Sequence, residues 1–140
     1  MSSVDRLRAS FSVAMISALW LNVVLLMARY LWLSAFDWTA FGGTLAIVVA
    51  ATATWWADQI GTATRLVTSA ALSMTVIMLV YSFAGHDFQV DLHMYFFATL
   101  AISTGWCDWR ALLAGAGTTA VHHIFLNFLM PAAVYPGGLT

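Results

Sequence analysis

The feature that most constrains this chain is a succession of apolar runs, nearly all as long as a bilayer is thick, with almost no charge inside them. A spanning helix needs about 20 mostly apolar residues. Five stretches fit: Val13–Trp32, Trp38–Trp56, Leu66–Ala84, Leu92–Trp106, and Trp109–Met130. The fourth is too short to cross by itself, so either its helix begins earlier, around Phe88, or the Gly85–Asp91 loop dips into the membrane. Asn22 interrupts the first, and Arg29 near its end can reach an interface along its aliphatic stem. Gly42 and Gly43 in the second, and Gly115 and Gly117 in the fifth, allow close helix packing. The fifth stops at Pro131, and the tail through Pro136, Gly137 and Gly138 reads as a turn or linker. The first run is too long for a signal-peptide core, and no small-residue cleavage site follows it.

Charge supports the same reading. Only 8% of the 140 residues are charged, against roughly 25% in soluble domains. Every one is Arg or Asp. A soluble fold of this composition has no means of covering its surface. The net charge of −1 offers nothing to nucleic acid. The single cysteine, Cys107, excludes an internal disulfide. No Ser–His–acid set, phosphate loop or nucleotide fingerprint is present, so an enzyme is not expected. The expected fold is an all-α, polytopic transmembrane bundle of about five spans, forming a single domain over residues 1–140.

Arginine placement sets the orientation. Arg6 and Arg8 precede the first run, Arg65 follows the second, and Arg110 follows the fourth. With five spans all of these share one side, which is therefore cytoplasmic along with the N-terminus. The other side holds Arg29, Asp37, Asp87 and Asp91. Trp32, Trp38, Trp55, Trp56, Trp106 and Trp109 stand at helix ends, as an interfacial belt requires, and Trp20 does not. Five spans place the C-terminus outside, and a linker-like ending there suggests a fragment lacking at least one further helix.

The chemistry concentrates in four histidines. Cys107-Asp108 is too short a connection for anything but an antiparallel hairpin of the last two runs. His93 and His123 stand equally far from Asp108, so they lie at one depth, with Asp91 and Asn127 slightly further out. His86, at the outer end of the third run, is expected in the same layer. His122 and His123 point about 100° apart; the stripe Thr119, His123, Asn127 favours His123 as the inward one. Imidazole with carboxylate suits copper, iron or zinc rather than calcium or magnesium. A metal site is therefore expected from His86, Asp91, His93 and His123, with His122 as substitute. Haem is the other candidate, using His86, His93, His122 or His123 beside Asn127. Against both stands the plainer reading of these residues as interfacial packing and hydrogen-bonding groups. Met74 and Met78 on one face of the third run are read as core packing.

The segments HDFQVDLHMYFFATLAISTGWCDWRALL and HHIFLNFLMPAAVYPGG, with the opening VDRLRASFSVAMISALWLNVVLL, resemble the N-terminal membrane region of some bacterial methyl-accepting chemotaxis proteins. Similar regions precede other bacterial signalling output domains. The resemblance implies a sensory input module in the bacterial inner membrane, followed in full-length proteins by another helix and a cytoplasmic signalling output. The chain departs from that pattern by stopping at Thr140. Expected partners are the lipid bilayer and further copies of the chain through helix packing. A membrane redox or metal-handling protein, with the His/Asp site as its active centre, is the alternative, and a purely structural bundle the third.

Overall fold

The computed structural model describes residues 2–129. The expected end of the fifth run at Pro131 and the tail turn lie outside them. Among the described residues the fold is all-α. The helices are α1 (Ser3–Leu33), α2 (Trp38–Ala57), α3 (Thr62–Ser82), α4 (Phe88–His93), α5 (Tyr95–Ser103) and α6 (Trp109–Leu129), with a 3₁₀ turn over Thr104–Trp106. Four of them, α1, α2, α3 and α6, are long and apolar enough to cross a membrane, which marks this as a membrane-associated protein.

Local chemistry sets the helix ends. Ser2 and Asp5 form a reciprocal capping box that starts α1 well before the apolar run. Asp37 caps α2 through the amides of Thr39 and Ala40. The expected fourth span differs from a single helix. It begins earlier, at Phe88, breaks at Met94, and closes in the 3₁₀ turn. At ~1.5 Å per residue, Phe88–Trp106 covers about 28 Å, close to a ~30 Å hydrocarbon core.

α3 is the central helix. Its buried side chains face several directions and are mostly small: Thr64, Thr68, Ser69, Ala71, Ser73 and Thr75 among them. α1, α2, α5 and α6 all pack on it, α6 most extensively. α3 and α6 run in parallel. Arg65, at the start of α3, meets Asp108, just before α6, at 2.9 Å. One level on, the Ser73 hydroxyl donates to the Gly115 carbonyl at 3.1 Å. Beyond that, Met74, Ile77 and Met78 share a groove with Gly117, Thr118, Val121 and His122. The segment Phe88–Trp106 therefore returns the chain along α3.

One end of the bundle is clamped by arginines. The Arg8 side chain donates to the carbonyls of Trp106 and Cys107 at 2.9 and 3.0 Å. Arg65 also reaches the carbonyl of Ile60 and the hydroxyl of Thr62. Cys107 turns the chain with a left-handed φ of 48°, an uncommon conformation for a side-chain-bearing residue.

Two packing expectations change. A Cβ on Gly115 would meet the Ser69 carbonyl oxygen at 3.4 Å, so α6 does approach α3 closely there. Gly42, Gly43 and Gly117 face open space. Trp106 leaves the interfacial belt: it is 0% exposed and lies edge-on to Phe11 at 5.2 Å. The clamp holds it inside, whereas Trp32, Trp38, Trp56 and Trp109 stay exposed at the helix ends.

Burial disfavours the charged form of Asp108. The Arg110 amide, the Arg65 hydrogen bond and the two guanidiniums outweigh that, holding its carboxyl below the ordinary carboxylate range. A depressed folded pKa stabilises the fold above the unfolded value of ~3.9 and is lost as pH falls through the folded one. Asp108→Asn should lower stability at neutral pH by about 1–3 kcal/mol, because Arg65 loses its charged partner. The deficit should shrink toward pH 3. Unfolding midpoints in detergent across pH check this, and a pH-independent deficit would exclude the ion pair as its source.

Candidate functional site

Away from the clamp, the helices gather three histidines around one phenylalanine. His93 closes α4 and His123 lies in the last turns of α6. Their ring centroids are 5.8 Å apart, with the planes at 76°. The Nδ1 of His93 is 3.1 Å from the Gln89 carbonyl, and that of His123 is 2.8 Å from the Thr119 carbonyl. A carbonyl only accepts, so each Nδ1 is the donor, and in the neutral ring Nε2 keeps its lone pair. The Nε2 of His93 is buried without a partner.

His122 is 8% exposed, and its Nε2 is likewise buried and unpartnered. Its ring is 5.2 Å from that of His123. Phe96 is 5.3 Å from His123, 5.8 Å from His93 and 5.9 Å from His122. Both adjacent histidines thus turn inward, contrary to the expectation of one. His123 faces His93, while His122 faces the groove along α3. A buried polar nitrogen left unpaired costs about 1–3 kcal/mol.

The other expected members lie apart. His86 stacks on Phe88 at 5.3 Å and lies 5.7 Å from Phe83 and 6.0 Å from Trp32. Its Nδ1 accepts the Phe88 N–H at 3.3 Å. Asp91 is exposed, and Asn127 is half-buried one turn beyond His123. The helical start at Phe88 explains this for Asp91: two residues from His93 on a helix, it points roughly 200° away. Among the described residues, no three His, Cys, Asp or Glu side chains are placed to hold one metal ion. The structure brings together His93 and His123, with His122 beside them, and not the set His86, Asp91, His93 and His123.

A buried polar network lies deeper, and the sequence reading passed over it. Asn22, 1% exposed, donates to the Thr75 hydroxyl at 2.8 Å and accepts from the Tyr95 hydroxyl at 2.9 Å. It ties α1 to α3 and α5. The signal was present: an amide in the middle of an apolar helix needs partners, and polar side chains on neighbouring helices supply them.

Comparison with models of known families, with curated proteins and with solved structures finds no match to this chain.

Asn22→Leu leaves the hydroxyl of Tyr95 without its acceptor and should cost about 1–3 kcal/mol. Adding Tyr95→Phe should cost less than the sum of the two single changes, because the groups act on each other. Unfolding midpoints of the four proteins in one detergent measure it; strict additivity would mean the network carries no coupling.

Proposed function

We propose that this chain is the membrane-embedded sensory input portion of a bacterial chemoreceptor-like signalling protein, responding through a transition-metal ion held by His93 and His123. The carrying observation is the 5.8 Å ring pair with both Nδ1 groups bound to backbone carbonyls. Metal-binding histidines typically donate their second nitrogen in this way, which orients the ring and fixes the tautomer. Two imidazoles on one ion at ~2.0–2.1 Å have ring centroids about 5–6 Å apart. That distance, and the Phe96 ring against all three histidines, favour a single ion over haem. An all-imidazole set suits copper or zinc, then iron. Two protein ligands leave coordination positions for water or an external ligand.

The sensory part of the reading rests on the resemblance of the motifs DLHMYFF and CDWR and of the His122-His123 segment. In this reading the bundle spans the bacterial inner membrane five times, N-terminus in the cytoplasm, with its arginine-rich end inside. The ion joins α4 to α6 across the Met94 break, so occupancy biases the packing of α6 and whatever follows it.

Two measurements test this. The purified chain, loaded with copper or zinc and analysed for metal content, should bind about one ion. His93→Ala and His123→Ala should each remove most of it, the double variant should match the singles, and His122→Ala should do much less. Full occupancy in both single variants at unchanged helical content would return these histidines to packing. For orientation, a cysteine at exposed Val90, in a Cys107→Ser background, should react with an impermeant reagent from the periplasmic side. Labelling only from the cytoplasm would invert the topology.

A further inference from the structure

A second, separate feature lies at the bundle end opposite the arginine clamp. An open cavity of about 340 Å³ sits between the α1–α2 connection and the last turn of α3, lined by Arg29, Tyr30, Phe36, Asp37 and Tyr81 among others. Arg29 is held in place there. One terminal nitrogen donates to the Ala35 carbonyl at 2.9 Å, and the guanidinium carbon lies 5.1 Å from the Tyr30 ring and 5.6 Å from the Phe83 ring. Its Nε is nevertheless buried without a partner. Tyr30 is 3% exposed, and its hydroxyl too has no partner.

Arg8 and Arg65 each have a carboxylate partner; among the described residues Arg29 forms no ion pair. The nearby acid, Asp37, lines the same cavity and its charge acts on Arg29 without an ion pair, while one of its two carboxylate oxygens is taken up by the cap of α2. Its Oδ1 accepts from the Thr39 amide, the Thr39 hydroxyl and the Ala40 amide at 2.9, 2.6 and 3.1 Å. Those bonds, with a smaller contribution from the Arg29 charge, hold its carboxyl below the ordinary range. The cavity wall therefore carries a fixed cation with a donor to spare and, just beneath its surface, the Tyr30 hydroxyl without a partner, beside the aromatic side chains of Phe36 and Tyr81. A planar guanidinium matches a carboxylate in geometry as well as in charge, and pockets that join a few polar groups to apolar walls suit small organic ligands.

We propose that this cavity binds a small organic carboxylate, its oxygens taken by Arg29 and, after a small shift that uncovers its hydroxyl, by Tyr30, with its apolar body lying against Phe36 and Tyr81. The site shares no residue with the histidine pair and stands or falls independently of it.

Benzoate is a suitable probe and benzamide its uncharged counterpart, titrated calorimetrically into the full chain in lipid nanodiscs. Benzoate should bind saturably, about one per chain, and benzamide at least tenfold more weakly. Arg29→Gln should abolish benzoate binding, and Tyr30→Phe, which keeps the ring, should weaken it several-fold. Asp37→Asn keeps a good helix cap and removes a like charge, so it should tighten benzoate binding; a merely structural role for Asp37 gives no tightening. His93→Ala/His123→Ala should bind benzoate normally, which separates this site from the metal reading. No saturable benzoate binding, equal binding of benzamide, or unchanged affinity in both Arg29→Gln and Tyr30→Phe would overturn the proposal.

Discussion

The turn at Cys107-Asp108 and the two arginines that grip it hold the rest of the bundle in register. Arg8 takes two backbone carbonyls at the end of the 3₁₀ turn, and Arg65 takes the Asp108 carboxylate. These charged donors tie the starts of α1, α3 and α6 to one level. A carbonyl at the end of a helix has no partner within it, and lipid supplies none. The clamp satisfies these groups and aligns three helices at once. With that end fixed, the depth of every later residue on α6 follows from helical rise alone, including that of His123.

From the clamp onward, small residues set how close the helices come. Lipid tails are as apolar as the side chains they replace, so hydrophobic burial barely distinguishes helix–helix from helix–lipid contact. Contact geometry and interhelical hydrogen bonds decide instead. α3 carries serine, threonine and alanine on the faces that its neighbours use. Gly115 lets α6 reach the Ser73 hydroxyl, and Asn22 joins α1 to Thr75 and Tyr95. Most of α6 beyond its contact with α3 stays exposed and apolar, as Val121, Ile124, Phe125 and Phe128 show.

The two ends of the bundle differ chemically. At the clamp, charges are paired with charges or carbonyls. Toward the other end, Arg29 Nε, the Tyr30 hydroxyl and His93 Nε2 are buried and unpaired, as is His122 Nε2 in the α3–α6 groove. The contrast has exceptions, since the Trp106 indole and the Ser69 hydroxyl also lack partners. Imidazoles held as His93 is, with Nε2 free to accept, and unpaired donors on arginine and tyrosine are complementary to different ligands, a cation and an anion respectively. The first group gathers around Phe96, and the second faces the cavity at the α1–α2 connection.

Helix existence was legible in the sequence, because twenty apolar residues in succession are required by bilayer thickness whatever their neighbours do. The hairpin was legible as well: a two-residue connection leaves no other geometry, and it brings His93 opposite His123 by counting alone. The early start of α4 was open in the sequence, since a short apolar run fits a dipping loop as well as a longer helix. Which way Asp91 points was not legible, because distance from a turn gives depth and not direction around a helix axis. Depth is one-dimensional and follows from rise per residue. Direction depends on which helix lies alongside, and in a chain apolar on almost every face no periodicity marks the inner side. Only the packed bundle decided that α3 is central, that His122 turns toward it beside His123, and that Arg29 and Tyr30 face one cavity.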